Sequence, residues 1–460
     1  MTTSGLAAQY FFGTFMHTPA LDQLEILSDT LISVDANGTI ISVLSPDKPT
    51  YSDKLGAARQ HKHFTSLPNN AFYLPGLVDT HIHAPQWPQL GKALHLPLEN
   101  WLMDCTFPLE SKYQDVAFAL AMYSSLVTTL LANGTTSAVY FGTIHTQATQ
   151  ILAELCVEKG QRAWVGRVAM DDHSQCPDYY RDSSTEQGLL DSEESIHSIR
   201  QLSGNESQRI KPIITPRFIP SCTDEMLAGL GDLAKHHNCA IQTHCSESDW
   251  EHQYVLDRTG LRDTEALDKF GLLTRRSVLA HSNFINHSDM ETIQKRGSGV
   301  AHCPLSNQYF AGSVFPLRDA LKLGVHVGLG TDISGGPSAS QFDSCRHAIS
   351  ASRMLETGVN ANTPADQRGV HGSRINYIEA FYLATAGGGV LLDEPIGLFK
   401  EGYRFDAIHI NASNENSNLL FFPELDSQAD LFQKTLYAAT RSDIETVWVD
   451  GVVVSAQSRR

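Results

Sequence analysis

The chain has 460 residues, 42% of them hydrophobic and 18% charged, with a formal net charge of −17. This composition suits a soluble globular protein, and the length allows roughly two to three domains or one large α/β barrel with additions. The acidic balance argues against nucleic acid, anionic membrane surfaces and polyanionic substrates as partners; a small neutral substrate stays open.

The first basic residue is Lys48, so the start of the chain lacks the charged region of a secretory signal. Residues 1–70 read as short strands. Leu31–Asp35 and Thr39–Val43 flank Asn37-Gly38, a strong hairpin-turn signal.

The middle of the chain alternates short apolar runs with helical patterns. Eight strands are predicted, at 74–80, 136–142, 163–168, 211–217, 240–245, 278–282, 299–303 and 326–331. Helices are predicted at 115–132, 223–236, 287–296 and 341–355. Residues 116–153 carry no Asp, Glu, Lys or Arg. Asn133-Gly134 breaks that run and Ser and Thr interrupt it, so it reads as a buried helix and strand rather than a membrane span. The polar, Ser/Glu-rich stretch 181–208 reads as a surface insertion with a short helix.

Towards the end, Phe405–Ile410 is a predicted strand. Thr446–Val449 and Val452–Val454 flank Asp450-Gly451, a second hairpin signal. Strand-rich ends around a βα-repeating middle predict an α/β (β/α)8 TIM-type barrel over 71–390. A small β-sandwich-like domain is expected from both termini, 1–70 and 391–460. The eight cysteines (105, 156, 176, 222, 239, 245, 303 and 345) contain no C-x-x-C pair and read as free thiols in a reducing compartment. The final Ser458-Arg459-Arg460 is no peroxisomal signal, and the expected location is cytoplasmic.

The chemistry sits at the strand ends. In Pro75-Gly76-Leu77-Val78-Asp79-Thr80-His81-Ile82-His83, alternate side chains face one way, so His81 and His83 point to one side together. The fifth predicted strand ends in His244 and Glu247, the sixth in His281 and the eighth in Asp332. A lone strand-end histidine is more often a hydrogen-bonded core residue, and a lone Asp332 more often a helix cap. His-x-His, His-x-x-Glu, His and Asp on strands one, five, six and eight together are hard to reach by core packing, and point to a metal site.

These motifs resemble the amidohydrolase superfamily, a group of metal-dependent hydrolases, and within it the guanine deaminases. The resemblance runs from about residue 10 to 455. It is carried by 75–83, Asn133-Gly134-Thr135-Thr136, Thr215-Pro216-Arg217-Phe218, His302-Cys303-Pro304 and Gly328–Asp332, with Gln86 and the 96–108 segment. It implies that His81, His83, His244 and Asp332 hold one zinc ion per subunit. It further implies that Glu247 shuttles protons and that His281 hydrogen-bonds the attacking water. Gln86, Arg217 and Phe218 are implied contacts to the purine, alongside His83, His244 and Asp332. The implied reaction is hydrolysis of guanine to xanthine and ammonia by a homodimer. Another mononuclear zinc amidohydrolase acting on a triazine, pterin or other nucleobase is the alternative, and a non-catalytic scaffold on the same fold is a third reading.

Three local features qualify the resemblance. Pro85 precedes Gln86 and offers no N–H to a substrate. The fourth predicted strand ends in Arg217, with Lys211 at its start, so no lysine stands where dinuclear relatives carry one; a single metal is favoured. Cytidine-deaminase-type enzymes need Pro-Cys-x-x-Cys, which is absent. Trp87 and Trp101 are candidate pocket walls. His302 reads equally as site support or structure, His145 as structural, and Asp79 as a residue that orients a neighbour or caps a turn.

Overall fold

The computed structural model describes residues 7–68, 70–413 and 417–457. Residues 458–460, the C-terminal tripeptide, lie outside the described residues.

Eight parallel strands run in chain order around a barrel: Leu77–His83, Thr135–Phe141, Arg162–Gly166, Ile210–Pro216, Ala240–Cys245, Ser277–His281, Gly299–His302 and His326–Leu329. Almost every residue of these strands is buried, as expected for strands covered on both faces. The barrel closes at the strand ends that carry the site. Asp332 donates its backbone N–H to the His81 carbonyl (3.0 Å), and His83 donates to Ile333 (2.9 Å). The Thr80 hydroxyl donates to the Leu329 carbonyl at 2.9 Å.

Strands from both termini build one eight-stranded sheet. A long hairpin, Ala7–Ala20 with Gln23–Asp35, pairs with Ile40–Leu44 and, on its other edge, with Ala71–Pro75. Ala71–Pro75 in turn pairs antiparallel with Ala407–Asn411, which leads to Ile444–Val449 and Val452–Ala456. Aromatic packing fills this part: Phe11 stacks on Phe405 at 3.9 Å and Phe15 on Tyr73 at 4.5 Å. Buried Arg162, at the start of the third barrel strand, donates to Asp406 (3.2 Å) and Asp450 (2.6 Å) and so ties barrel to sheet.

The chain passes from sheet to barrel through Pro75-Gly76. A side chain at Gly76 would meet the Thr136 hydroxyl at 2.1 Å, so the crossing needs glycine. The predicted strand at 74–80 is therefore the junction of two strands, 71–75 and 77–83.

Three sequence expectations need correction. Residues 181–208 are not an insertion. They contain the 16-residue helix Thr185–Arg200, capped by Ser184, which follows the third strand as a regular barrel helix. Its buried face is made largely of Gly188, Ser192 and Ser195, with Ile196 and Ile199, so it lacks the apolar stripe that would announce a helix. The first strands are long, at 14 and 13 residues, rather than short, and a helix at Tyr51–Ala58 stands among them. Helix Gln428–Ala438 likewise interrupts the C-terminal strands.

Helix Val116–Ala132 is capped by Asp115, which accepts from Ala117 N–H at 2.8 Å, and is followed by the strand at 135–141, as expected. Among the described residues no single helix is long and apolar enough to cross a membrane. All eight cysteines are free thiols, and all but Cys105 are buried.

Candidate active site

The C-terminal ends of the barrel strands bring the sequence candidates to one place. Strand alternation aims His81 and His83 into the barrel mouth. His83 Nε2 lies 2.9 Å from His244 Nε2, His81 Nε2 lies 3.1 Å from Asp332 Oδ1, and His83 Nε2 lies 3.6 Å from the same oxygen. His281 Nε2 stands 3.7 Å from Glu247 Oε2 and 4.0 Å from Asp332 Oδ2.

Hydrogen bonds fix the ring states. His244 Nδ1 donates to the Arg217 carbonyl at 2.6 Å, which leaves the Nε2 lone pair facing His83. His281 Nδ1 donates to Asn307 Oδ1 at 2.9 Å, which leaves its Nε2 free. Burial drives the pKa values of His81, His83 and His244 well below the ordinary histidine range, so all three are neutral imidazoles. His81 Nε2 and His281 Nε2 are buried without a hydrogen-bond partner. Neutral rings, unsatisfied nitrogens and a carboxylate oxygen converging on one point are the donor set of a divalent transition metal.

Backbone conformation marks the same ridge. Ser246, His281, Ser282 and Asp332 adopt positive φ of 49°, 68°, 56° and 48°, which non-glycine residues seldom do. Asp79 braces the end of this ridge next to Asp332. Its carboxylate accepts from Thr331 N–H (3.0 Å), the Thr331 hydroxyl (2.6 Å) and His81 N–H (3.3 Å), linking strand one to strand eight beside Asp332. Burial, opposed by these bonds, pushes the Asp79 carboxyl up to about 7.

Glu247 is buried, and burial together with the Asp332 carboxylate raises its carboxyl well above the ordinary range, against the opposing pull of Arg217. Behind it, Glu251 accepts from Glu247 N–H at 2.6 Å and Asn283 donates to the Glu247 carbonyl at 2.8 Å, which fixes the backbone from both sides.

A pocket opens onto this cluster. Its walls include His83, His244, Glu247 and Asp332, and also Gln86, Arg217, Phe218 and Trp101. Every substrate-contact candidate from the sequence therefore lines one cavity. Trp87 does not line it; its indole N–H donates to Ser125 at 3.1 Å. His302 does not line it; it is buried, with its ring 5.3 Å from that of Phe315. His145 precedes helix Thr146–Lys159 and also stands outside the lining. Pro85 is in the first turn of the 3-10 helix Ala84–Gln89, where a missing N–H breaks no helical bond.

Sequence reasoning missed Glu110. Fully buried, it accepts from Arg217 Nη1 (2.7 Å), Arg217 Nη2 (3.1 Å) and Gln86 Nε2 (2.9 Å). Gln86 Oε1 accepts from Ser334 N–H at 3.2 Å. Phe107 lies beneath the guanidinium, 4.9 Å from ring centre to Cζ. The segment just before it supplies Leu98, Trp101 and Leu102 to the pocket wall. Pro108-Leu109-Glu110 gives no hint in sequence that its carboxylate is interior.

Residues 72–456 match the family described as "Amidohydrolase family". The chain belongs to this family. It is similar to the probable guanine deaminase of Schizosaccharomyces pombe, with 36% identity over 457 residues, covering 98% of this chain and 84% of that one. It is 37% identical over 453 residues to the guanine deaminase of Rattus norvegicus, covering 96% of each. Among solved structures, guanine deaminase from C. acetobutylicum with bound guanine in the active site superimposes with a TM-score of 0.85 at 32% identity, covering 97% of this chain and 99% of that one.

Proposed function

We propose that this protein hydrolyses guanine to xanthine and ammonia, using one zinc ion per subunit held by His81, His83, His244 and Asp332. The observation that carries the reading is a single pocket with two kinds of wall. One wall is the imidazole–carboxylate cluster; the other carries the donors of Arg217 and Gln86, held in place by the Glu110 carboxylate that accepts from both. The similarity to named guanine deaminases over nearly the whole chain supports it.

A divalent ion at the cluster supplies Lewis acidity that makes water nucleophilic near neutral pH. The protein's own groups supply the rest. Asp332 takes the attacking water's proton, and His281 Nε2, fixed by Asn307, accepts a hydrogen bond from that water. As oxygen adds at C2, Glu247 donates its proton to N3; the resulting carboxylate then takes the C2 hydroxyl proton and passes it to the amine, which leaves as ammonia as the carbonyl forms, and the proton held by Asp332 returns to Glu247. Such proton transfer is worth about 10²–10⁴-fold in rate. Arg217 and Gln86 donate to O6, and an adenine amino group there would leave these donors unpaired, a large penalty in a buried site. Phe218 packs on the base. Eight free thiols suit a reducing compartment, and we place the enzyme in the cytosol as a homodimer.

The test is to purify the protein, count bound zinc and follow ammonia release from guanine, adenine, cytosine and triazines. Zinc with release from guanine is expected. No zinc and no release would remove the enzymatic reading, and release from another base would redirect it.

A further inference from the structure

A second cluster with metal-ligand chemistry lies outside the barrel, on helices Thr185–Arg200 and Asp224–His236. Glu193 and His197 are four residues apart on the first helix, so their side chains share one face. His237 caps the end of the second. One donor atom from each of the three lies within 4.8 Å of the others. His237 Nε2 is 2.8 Å from Glu193 Oε1. The His197 and His237 rings meet edge to face, 5.1 Å apart at 89°. In the active site His81 and His244 stand the same way, 5.0 Å apart at 89°.

The surroundings favour a cation. His197 is in the last turn of its helix and His237 directly follows the other, so two helix C-termini, the negative ends of their dipoles, meet at the cluster. The Arg200 guanidinium, which opposes a cation, is turned to the His237 carbonyl at 2.7 Å and bridges the same two helices. His197 is exposed, which leaves room for water to complete a coordination sphere.

We infer that Glu193, His197 and His237 form a second transition-metal site. Two imidazoles and one carboxylate suit Zn²⁺, Cu²⁺ or Ni²⁺ rather than Mg²⁺ or Ca²⁺. Barrel helices end at the face opposite the catalytic strand ends, so the ion would clasp two helices and act on stability, not on turnover. The site is independent of the function proposed above.

The experiment uses protein whose catalytic site has already been filled with zinc. Equilibrium dialysis against Zn²⁺ should show one further equivalent per chain, with a zinc-dependent rise in Tm and unchanged deaminase activity. His197→Ala, at an exposed position, should weaken this uptake by about tenfold or more and abolish the Tm rise, and Glu193→Gln should do the same. Absence of the extra equivalent in the unaltered protein, or uptake by either variant equal to that of the unaltered protein, would overturn the site.

Discussion

Replacing Glu110 by Gln changes one atom of the pocket's reading wall and removes its negative charge. Glu110 is fully buried and Arg217 nearly so, at 0% and 2% side-chain exposure. Burial works to lower the Arg217 pKa, but the Glu110 charge and hydrogen bonds outweigh it, and the guanidinium is held above its ordinary value. The amide introduced by Glu110→Gln would keep one acceptor oxygen and turn an NH₂ towards donors of Arg217 or Gln86, stranding a buried cation. Breaking a buried pair from one side costs about 3–5 kcal/mol, and that is the expected loss of stability in urea unfolding. In the proposed reaction the donors to guanine O6, Arg217 and Gln86, lose their anchor as well. A charge-assisted hydrogen bond is worth about 1.5–3 kcal/mol, so kcat/KM for guanine should fall by about 10- to 100-fold, mainly through KM. The double variant Glu110→Leu/Arg217→Met, which replaces the pair by apolar groups of similar length, should recover most of the stability and none of the guanine turnover. If Glu110→Gln stays within about 0.5 kcal/mol of the parent, or if the double variant still deaminates guanine efficiently, the pair neither holds the wall nor reads the base.

Glu247→Gln should lower kcat by at least about 10²-fold while bound zinc, counted by atomic absorption, is unchanged; normal turnover would take proton transfer away from Glu247. Asp79→Asn should weaken zinc binding by about 10–100-fold in chelator competition, because one amide oxygen cannot accept all three bonds from Thr331 and His81 that place His81 and Asp332; unaltered affinity would mean that this tie does not position the ligands. Burial, with His281 alongside, lowers His302 to about 3. Between its unfolded value of about 6.5 and that folded value, only the unfolded chain binds the proton, so stability falls as pH falls through this window and is unaffected above it. Thermal melts at graded pH should show a gentler acid slope for His302→Asn, though not a flat one, since His81, His83 and His244 are depressed too. Stripping the metal with a chelator should abolish ammonia release and lower Tm, and zinc should restore both; activity that survives full removal would contradict a metal-assisted reaction.

Much of this was readable from local pattern. Strand alternation sets where His81 and His83 point, and apolar runs of strand length between helical stretches set the barrel. Both are governed by residues a few positions apart. A short helix was expected within 181–208, but the full length of Thr185–Arg200 and its place as a barrel helix escaped because its buried positions are mostly small or polar and leave no apolar stripe. Glu110 escaped for a related reason. A carboxylate beside Pro108 and Leu109 reads as surface, and its burial becomes tolerable through partners 24 and 107 residues away, Gln86 and Arg217.

From sequence alone came the donor types, their strand ends and the family resemblance, because these depend on residue identity and short-range periodicity. Tertiary structure decided which groups share a proton, a charge or a wall. Asp79 is tied to Thr331 across 252 residues, and the Nε2 lone pairs of His244 and His281 are turned to the site by the Nδ1 bonds to Arg217 and Asn307. The ionisation of a buried group is set by burial and by nearby charge, and both arise only when distant segments pack together.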